Sequence, residues 1–469
     1  MPLVLDRSAG TPLAAQVTVQ LRDAVTSGIL RAGERLPSSR DLAATLGVSR
    51  TVVTSAYAQL FAEGWLEGRH GSGTYVAAVS PAPPASFPPA DLSGPSLSSA
   101  LASFSTSSAA EPVPRDPAWP GQHWIELVTG VPWAAGIDPA MWRRAWRHAG
   151  RQAPSFFPDP FGLPALRTEL AHYLRRSRGL AVTPDHVLVT RGVSAGLSLL
   201  IAALVRPGDK VGVEEPGYEG ARTVLSRAGA NVVSCRVDAD GVVPEELPDD
   251  LRLLYTTPAH QYPLGGRLPV TRRQALIAWA RTTGAVIVED DYDGEFRYDV
   301  APLPALYSMD PEVVVYLGTT SKMLTPVFGA GWLVASPAMV RVLAQRRREI
   351  SDRVSDPVQY ALLELLASGD LERHVRKMRL EYARRRTALM ALPGLRGDTA
   401  GLHVVLELPA GLPAAEFADR AAGRGVGLVT ADRYYAGPPA INAVVLGYGA
   451  TSLSQVRRAA AALRPLLPP

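Results

Sequence analysis

From about Ile125 onward the sequence alternates short β-rich runs with helical patterns. VLVT precedes a helix starting near Val193, VGVEE precedes one from about Gly220, and NVVSC, RLLYTT, AVIVEDD and VVVYLG follow. Continuous apolar runs of this length are strands covered on both faces, and strands joined through helices lie parallel. The alternation therefore predicts a mostly parallel α/β sheet. After about Pro337, long Arg-rich helical patterns take over, and LHVVLELP, VGLVT and AVVLGYG read as strands of a smaller α+β unit. A chain of 469 residues exceeds one ordinary core, so two or three domains are expected.

The boundary upstream of the sheet is written in composition. The stretch PAPPASFPPADLSGPSLSSALASFSTSSAAEPVPRDP is too poor in large apolar residues to bury a core and reads as a linker. The expected division is a unit over 1–76, a linker over 77–124, a large domain over 125–340 and a small domain over 341–469. The single cysteine, Cys235, cannot form an internal disulfide, which fits a reducing compartment. The N-terminus MPLVLDRSAG has no basic region followed by an apolar core, and the longest apolar run, near LSLLIAALV, is too short to span a bilayer. A soluble, cytoplasmic protein with no membrane partner and no metal site is expected.

Residues 1–76 carry two adjacent helix signatures. PSSRDLAATLG has a Ser38-x-x-Asp41 capping pattern, apolar Leu42 and Leu46, and a stop at Gly47. VSRTVVTSAYAQLFAEG starts at Ser49 as N-cap, places Val52, Val53, Ala56, Tyr57 and Leu60 on one face, and stops at Gly64. Two short helices joined at Gly47-Val48 make a helix-turn-helix. Arg50 and Thr51 then stand at the exposed start of the second helix, where a recognition helix meets base edges and phosphates. WLEGRHGSGTYV adds a strand, a glycine-rich turn and a strand, a wing with Arg69 and His70 at its tip. A net charge of +4 neither demands nor excludes nucleic acid, so the inference rests on the motif.

The large domain holds an unusual lysine. Of 48 lysines and arginines only Lys210, Lys322 and Lys377 are lysine, and Lys322 sits in GTTSKMLTP just after the run VVVYLG. Arginine stays charged, whereas lysine can lose its proton and attack a carbonyl carbon. Lysine chemistry with a cofactor aldehyde needs an acid at the pyridine nitrogen, donors at the phenolic oxygen, a stacked aromatic ring and a phosphate cradle. Asp290 ends the strand AVIVED and Tyr292 follows it; Tyr262 lies in the turn TPAHQYPLGG after RLLYTT, and Tyr218 in EEPGYEGAR follows another strand. All four lie at strand C-terminal ends, where α/β sites form.

The segment ILRAGERLPSSRDLAATLGVSRTVVTSAYAQLFAEGWLEGRHGSGTYV resembles the DNA-binding module of GntR-family regulators. That resemblance implies contacts to a double-stranded DNA operator by Arg40, Arg50, Thr51, His70 and Gly71. The family often has a second hydroxyl residue after Thr51, where Val52 stands here. From about Ile125 to the end the chain resembles the fold-type-I aminotransferases, most of all the aminotransferase-like domain of MocR regulators, the GntR subfamily fused to such a domain. The segments that carry this are DPFGLPALR, EEPGYEGAR, TPAHQYPLGG, VEDDYDGEFRYD, YLGTTSKML, HVRKMRLEYARRR and GLHVVLELP. The resemblance implies a multidomain fold: a winged helix-turn-helix, an α/β aminotransferase-like domain and a smaller C-terminal α+β subdomain. It implies pyridoxal 5'-phosphate held by Lys322, with Asp290 at the pyridine nitrogen, Tyr292 and Tyr262 near the phenolic oxygen and Tyr218 against the ring. Gly192, Val193, Ser194, Thr319 and Ser321 would surround the phosphate, with Arg191 a further candidate, and the chain would form a head-to-tail homodimer.

The aminotransferase-like part departs from the family pattern in four places. Gly329 stands where an arginine usually clamps the phosphate, Phe157 and Pro158 replace the usual Tyr-Gly before DPFG, and Val193 replaces a hydroxyl residue. A lost charged contact weakens binding by about 1.5–3 kcal/mol. Val445, in AVVLGYG, occupies the place of the arginine that holds a substrate carboxylate; Arg433 nearby is a possible substitute. The arginine clusters at 346–350 and 373–386 read as solvated or partner-facing surface. Three functions stay open: a regulator that senses pyridoxal phosphate through an effector domain, a regulator whose sensor binds another metabolite, and an active aminotransferase fused to a DNA-binding module.

Overall fold

A computed structural model describes residues 3–7, 10–69, 73–77, 124–299 and 303–468. His70, Gly71 and nearly all of the expected linker lie outside the described residues.

The N-terminal unit consists of helices α1 (Leu13–Thr26), α2 (Ser39–Leu46) and α3 (Arg50–Glu63), then strands β1 (Leu66–Arg69) and β2 (Gly73–Val76). The strands pair antiparallel from Leu66–Val76 to Arg69–Gly73. Helix α2 begins where expected: the Ser38 hydroxyl accepts from the Asp41 N–H, and Gly47 ends the helix at φ +62°, a left-handed cap that glycine adopts without strain. Ser49 precedes α3, but its side chain makes no capping bond. Val53, Ala56, Tyr57 and Leu60 are buried against Val17 and Leu21 of α1, whereas Val52 is only half-buried. The Tyr57 hydroxyl donates to the Pro37 carbonyl at 2.8 Å, which fixes α3 to the segment leading into α2.

The large sheet is built from β3 (Val187–Thr190), β4 (Lys210–Glu215), β5 (Asn231–Asp238), β6 (Gly241–Val242), β7 (Leu253–Thr256), β8 (Val286–Asp290), β9 (Val314–Thr319) and β10 (Gly331–Val334). Their order across the sheet is β3-β10-β9-β8-β7-β4-β5-β6. β9, β8, β7, β4 and β5 run parallel to their neighbours; β10 is antiparallel to both β9 and β3, and β6 is antiparallel to β5. Helices α4 (Val193–Leu204), α5 (Glu219–Arg227) and α6 (Val270–Thr283) make the crossovers. β3, β7, β8, β9 and β10 are buried along their whole length, which is why their sequences show no polar alternation.

The C-terminal part forms an antiparallel sheet of Leu395–Arg396, His403–Glu407, Ala443–Gly447 and Val429–Thr430. Ile125–Glu126 pairs parallel with Val426–Gly427, so the first residues after the linker are stitched to this part and not to the large sheet. The arginine clusters do not behave as a purely solvated face. Arg347 is buried and donates to the Pro160 carbonyl at 2.8 Å. Arg385 is buried, lies 4.2 Å from the Trp133 ring centre and donates to the Gly449 carbonyl. Each also pairs with a carboxylate, Arg347 with Asp352 and Arg385 with Glu381, so buried charge is met by both backbone oxygens and acids.

Candidate functional site

Two sites stand on this frame. The first lies along the C-terminal ends of β3, β4, β7, β8 and β9. Glu289 and Asp290 close β8 and Asp291 follows it, and all three acids are buried. Glu289 accepts backbone N–H bonds from Leu306 and Tyr307 at 2.8 and 2.9 Å. Asp291 pairs with buried Arg178 and accepts from the Tyr316 hydroxyl. Asp290 alternates to the other face. It accepts from the Tyr255 hydroxyl through Oδ2, while Oδ1 has no hydrogen-bond partner. A buried carboxylate oxygen without a donor is costly unless a ligand supplies one.

Burial pushes the Asp290 carboxyl up to about 7 from 3.8, helped by the charge of Asp291 and opposed by the Tyr255 bond and Lys322. Lys322 follows β9. Burial lowers the pKa of its amine, against the opposing pull of Asp290 and Asp293, and so favours the neutral, nucleophilic form. Its Nζ donates to the Gly130 carbonyl at 2.6 Å. Gly130 has φ +68°, and a Cβ there would stand 3.1 Å from Nζ, so glycine is needed both for the turn and for the amine.

Three tyrosines surround this pair. The Tyr292 hydroxyl lies 3.0 Å from His260 Nδ1. The Tyr262 hydroxyl bonds with Thr129 at 3.2 Å and Tyr434 at 3.4 Å, and its ring meets Tyr292 edge-on at 5.7 Å. Tyr218, 37% exposed, stands edge-on to Tyr262 at 6.2 Å. At the other end, Gly192 caps the twelve-residue α4 at φ +119°, leaving the first N–H groups of that helix free for an anion. The Thr319 hydroxyl donates to Ser321 Oγ at 2.9 Å, so the Ser321 hydrogen remains to be donated. Arg191 is committed elsewhere, donating to Asp352 at 2.7 Å.

The residues fit a pyridoxal phosphate: an amine, an unpartnered carboxylate oxygen, phenols and a helix N-terminus all stand at the C-terminal edge of one sheet. The family's clamps are structurally absent among the described residues. Gly329 caps a short turn at φ +65° above Phe328, which packs edge-on against Trp142 and Trp146. Val445 is buried in the strand Ala443–Gly447, clustered with Val405, Ala431 and Tyr434. Arg433 pairs with Glu219 at 3.2 Å, both half-exposed. The sequence reading missed Tyr255, His260, Asp293 and His403. Tyr255 lies in a strand buried throughout, where no alternation marks its direction, whereas His260 and Asp293 adjoin the selected Tyr262 and Tyr292.

The raised Asp290 value makes a prediction. A folded-state pKa above the unfolded one means the fold binds the proton more tightly. Its contribution to stability is therefore full below about pH 4 and is lost as pH rises through about 7. Ligand-free Asp290→Asn is expected to melt higher than the wild type at pH 8, by a few kcal/mol at most on the scale of about 1.4 per pKa unit. The gap should close toward pH 5, as followed by thermal unfolding.

The second site is the exposed surface at the start of α3. Arg40, Arg50 and Thr51 are exposed, and Arg50 Nε reaches Ser39 Oγ at 3.4 Å, so the starts of α2 and α3 share one face. Arg35, passed over in the sequence, lies against the wing, its Nε 3.1 Å from where a Cβ on Gly73 would be.

A fold-type-I large domain behind a winged helix-turn-helix defines a class, and comparison with known proteins agrees with it. Residues 13–76 match the model for bacterial regulatory proteins of the gntR family and residues 123–395 that for aminotransferase class I and II. The HTH-type pyridoxine biosynthesis transcriptional regulator PdxR of Corynebacterium glutamicum is 37% identical, over 96% of this chain and 94% of its own. The probable rhizopine catabolism regulatory protein MocR of Rhizobium meliloti is 34% identical, over 98% and 95%. An archaeal alanine:glyoxylate aminotransferase matches 74% of this chain and 91% of its own, with 27% identity and a TM-score of 0.68. The chain belongs to the MocR-type GntR-family regulators, and it is a DNA-binding transcription regulator. No helix among the described residues is long and apolar enough to cross a membrane.

Proposed function

We propose that the aminotransferase-like domain is the regulator's sensor and that pyridoxal 5'-phosphate is the molecule it senses. The carrying observation is that Lys322, its amine shifted toward neutrality by burial, stands within electrostatic reach of Asp290, whose buried Oδ1 lacks a donor. When bound, the cofactor supplies an aldehyde for the lysine and a ring nitrogen for the carboxylate. Lys322 would hold the aldehyde carbon, Asp290 the ring nitrogen, Tyr292 and Tyr262 the phenolic oxygen, and Tyr218 the ring face. The N-terminus of α4 with Gly192, Val193, Ser194, Thr319 and Ser321 would hold the phosphate. The name of the Corynebacterium relative, a regulator of pyridoxine biosynthesis, supports a ligand of this chemical family.

Sensing, and not turnover, is the reading that the buried Val445 favours, since no arginine stands there to hold an amino-acid carboxylate. Gel-shift titration of the DNA upstream of the chain's own gene, with and without pyridoxal phosphate, tests this. The expected result is specific binding whose affinity changes with the cofactor. Binding indifferent to pyridoxal phosphate in a protein that stays colourless with it would point to another metabolite. Turnover of amino donors that is lost in Lys322→Ala would favour the enzyme.

The remaining readings are proposals of the same standing: domains over 1–76, 125–340 and 341–469, a linker between the first two, a cytoplasmic setting, and a head-to-tail homodimer. Support for the dimer comes from bare apolar side chains: adjacent Phe156 and Phe157 are 95% and 90% exposed, and Val327 is 88% exposed. Single exposed apolar residues are ordinary, but adjacent phenylalanines are not. Phe156→Ser with Phe157→Ser is expected to shift the chain from dimer to monomer in sedimentation velocity, each buried ring being worth about 2 kcal/mol.

A further inference from the structure

Behind Tyr292 lies a group of polar side chains that the cofactor reading does not use. His260, Asp293 and His403 are each 2% exposed. His260 Nδ1 lies 2.9 Å from Asp293 Oδ2 and 3.0 Å from the Tyr292 hydroxyl, so one ring nitrogen serves two neighbours. His260 Nε2 has no hydrogen-bond partner. His403 donates from Nε2 to the Pro263 carbonyl at 2.9 Å, which places its proton there, and its ring lies 5.1 Å from that of His260.

The tautomer of His260 follows from these contacts. With the proton on Nε2, an N–H would be buried without an acceptor, and the Nδ1 lone pair would face the lone pairs of Asp293 at hydrogen-bond distance. With the proton on Nδ1, the N–H points between Asp293 and Tyr292, and only a bare lone pair is left at Nε2. An orphaned lone pair is cheaper than an orphaned N–H beside two opposed acceptors. The Tyr292 oxygen then accepts, and its own hydrogen is left to be donated elsewhere.

We infer that His260, locked by Asp293 with its proton on Nδ1, is a positioning residue that turns the Tyr292 hydroxyl hydrogen toward the ligand. The inference rests on the pyridoxal phosphate reading for the identity of that ligand: the acceptor would be its phenolic oxygen. A hydroxyl that already accepts a bond is a stronger donor, and one whose rotation is fixed need not be ordered when the ligand arrives. Glycine at 401 makes the arrangement possible, because a Cβ there would stand 2.6 Å from His260 Nδ1 and 2.7 Å from Asp293 Oδ2. The three residues also have the composition of a metal site, which gives the test a competing outcome.

Two measurements decide the matter. In ligand-free protein labelled with nitrogen-15 histidine, the His260 signals, identified by their loss in His260→Asn, should show Nδ1 protonated; a bare Nδ1 overturns the inference without reference to any cofactor. In protein loaded with pyridoxal phosphate, His260→Leu should raise the pH midpoint of the visible band by about one unit. His260→Asn, whose amide can place an N–H near the Nδ1 position, should recover most of that shift. On a Tyr292→Phe background His260→Leu should have no effect, since His260 acts through that hydroxyl; an equal shift on both backgrounds overturns the proposal. If His260→Leu does not fold, Asp293→Asn releases the same lock and should move the midpoint the same way. Stoichiometric metal in the purified protein, lost with His403→Ala, would also overturn it. A wild type with no visible band sinks the sensing reading instead, and the nitrogen-15 result then stands alone.

Discussion

Lys322→Ala is expected to leave the protein colourless in pyridoxal phosphate and free of any mass adduct after borohydride reduction, where the wild type is yellow and fully labelled. With cofactor at one equivalent the loss should be near complete, because the two other lysines are bound elsewhere: Lys210 pairs with Asp250 at the opposite end of β4 and Lys377 approaches the Gly136 carbonyl. Lys322→Arg should behave like the alanine, since a guanidinium keeps its charge and cannot attack the aldehyde. Both variants should still bind operator DNA, and neither should respond to the cofactor. That separation gives the experiment its force. A variant that loses both DNA binding and colour is merely unfolded, whereas one that keeps DNA binding and loses the response ties Lys322 to sensing. A Lys322→Ala protein that still takes up a reducible adduct would remove the lysine from the proposal.

The arrangement of partners around that lysine was only partly legible in the chain. Asp290, Tyr262 and Tyr218 could be named because each follows a recognisable strand, and strand ends in such sheets converge on one edge. The order of strands could not be read, because β3 and β10 pair antiparallel across sequence-distant segments and nothing local encodes that choice. Burial along entire strands also erased the alternation that would have aimed Tyr255 at Asp290. The arginine-rich helices misled for a different reason: charge pattern marks a solvated face only on average, and Arg347 and Arg385 are held inside by backbone carbonyls. The small domain's claim on Ile125–Glu126 is a tertiary pairing of two-residue strands, too short to leave a pattern. The helix-turn-helix was legible because the capping Ser38, the stop glycines and the apolar spacing are local signals, although Ser49 makes no capping bond and Val52 is only half-buried.

Arg50→Ala and Arg40→Ala should each weaken operator binding, and the manner of the loss should tell their roles apart. An arginine that reads a base edge is worth about 1–3 kcal/mol, a loss of about 5- to 150-fold confined to the cognate sequence. One that holds a phosphate weakens binding to every sequence alike and lowers the salt slope by about one. Arg50 stands at the exposed start of α3, beside Thr51, where a recognition helix enters the groove. Its loss is expected mainly in specificity, with the salt slope little changed. Arg40, in the first turn of α2, faces the flanking backbone in such a docking, so its loss should appear in the slope. Arg50 reaches Ser39, not Arg40, and the double variant should lose close to the product of the single losses, measured by fluorescence anisotropy across a salt series. Equal slopes for both variants, with equal losses on operator and unrelated DNA, would mean that α3 does not read this operator through Arg50.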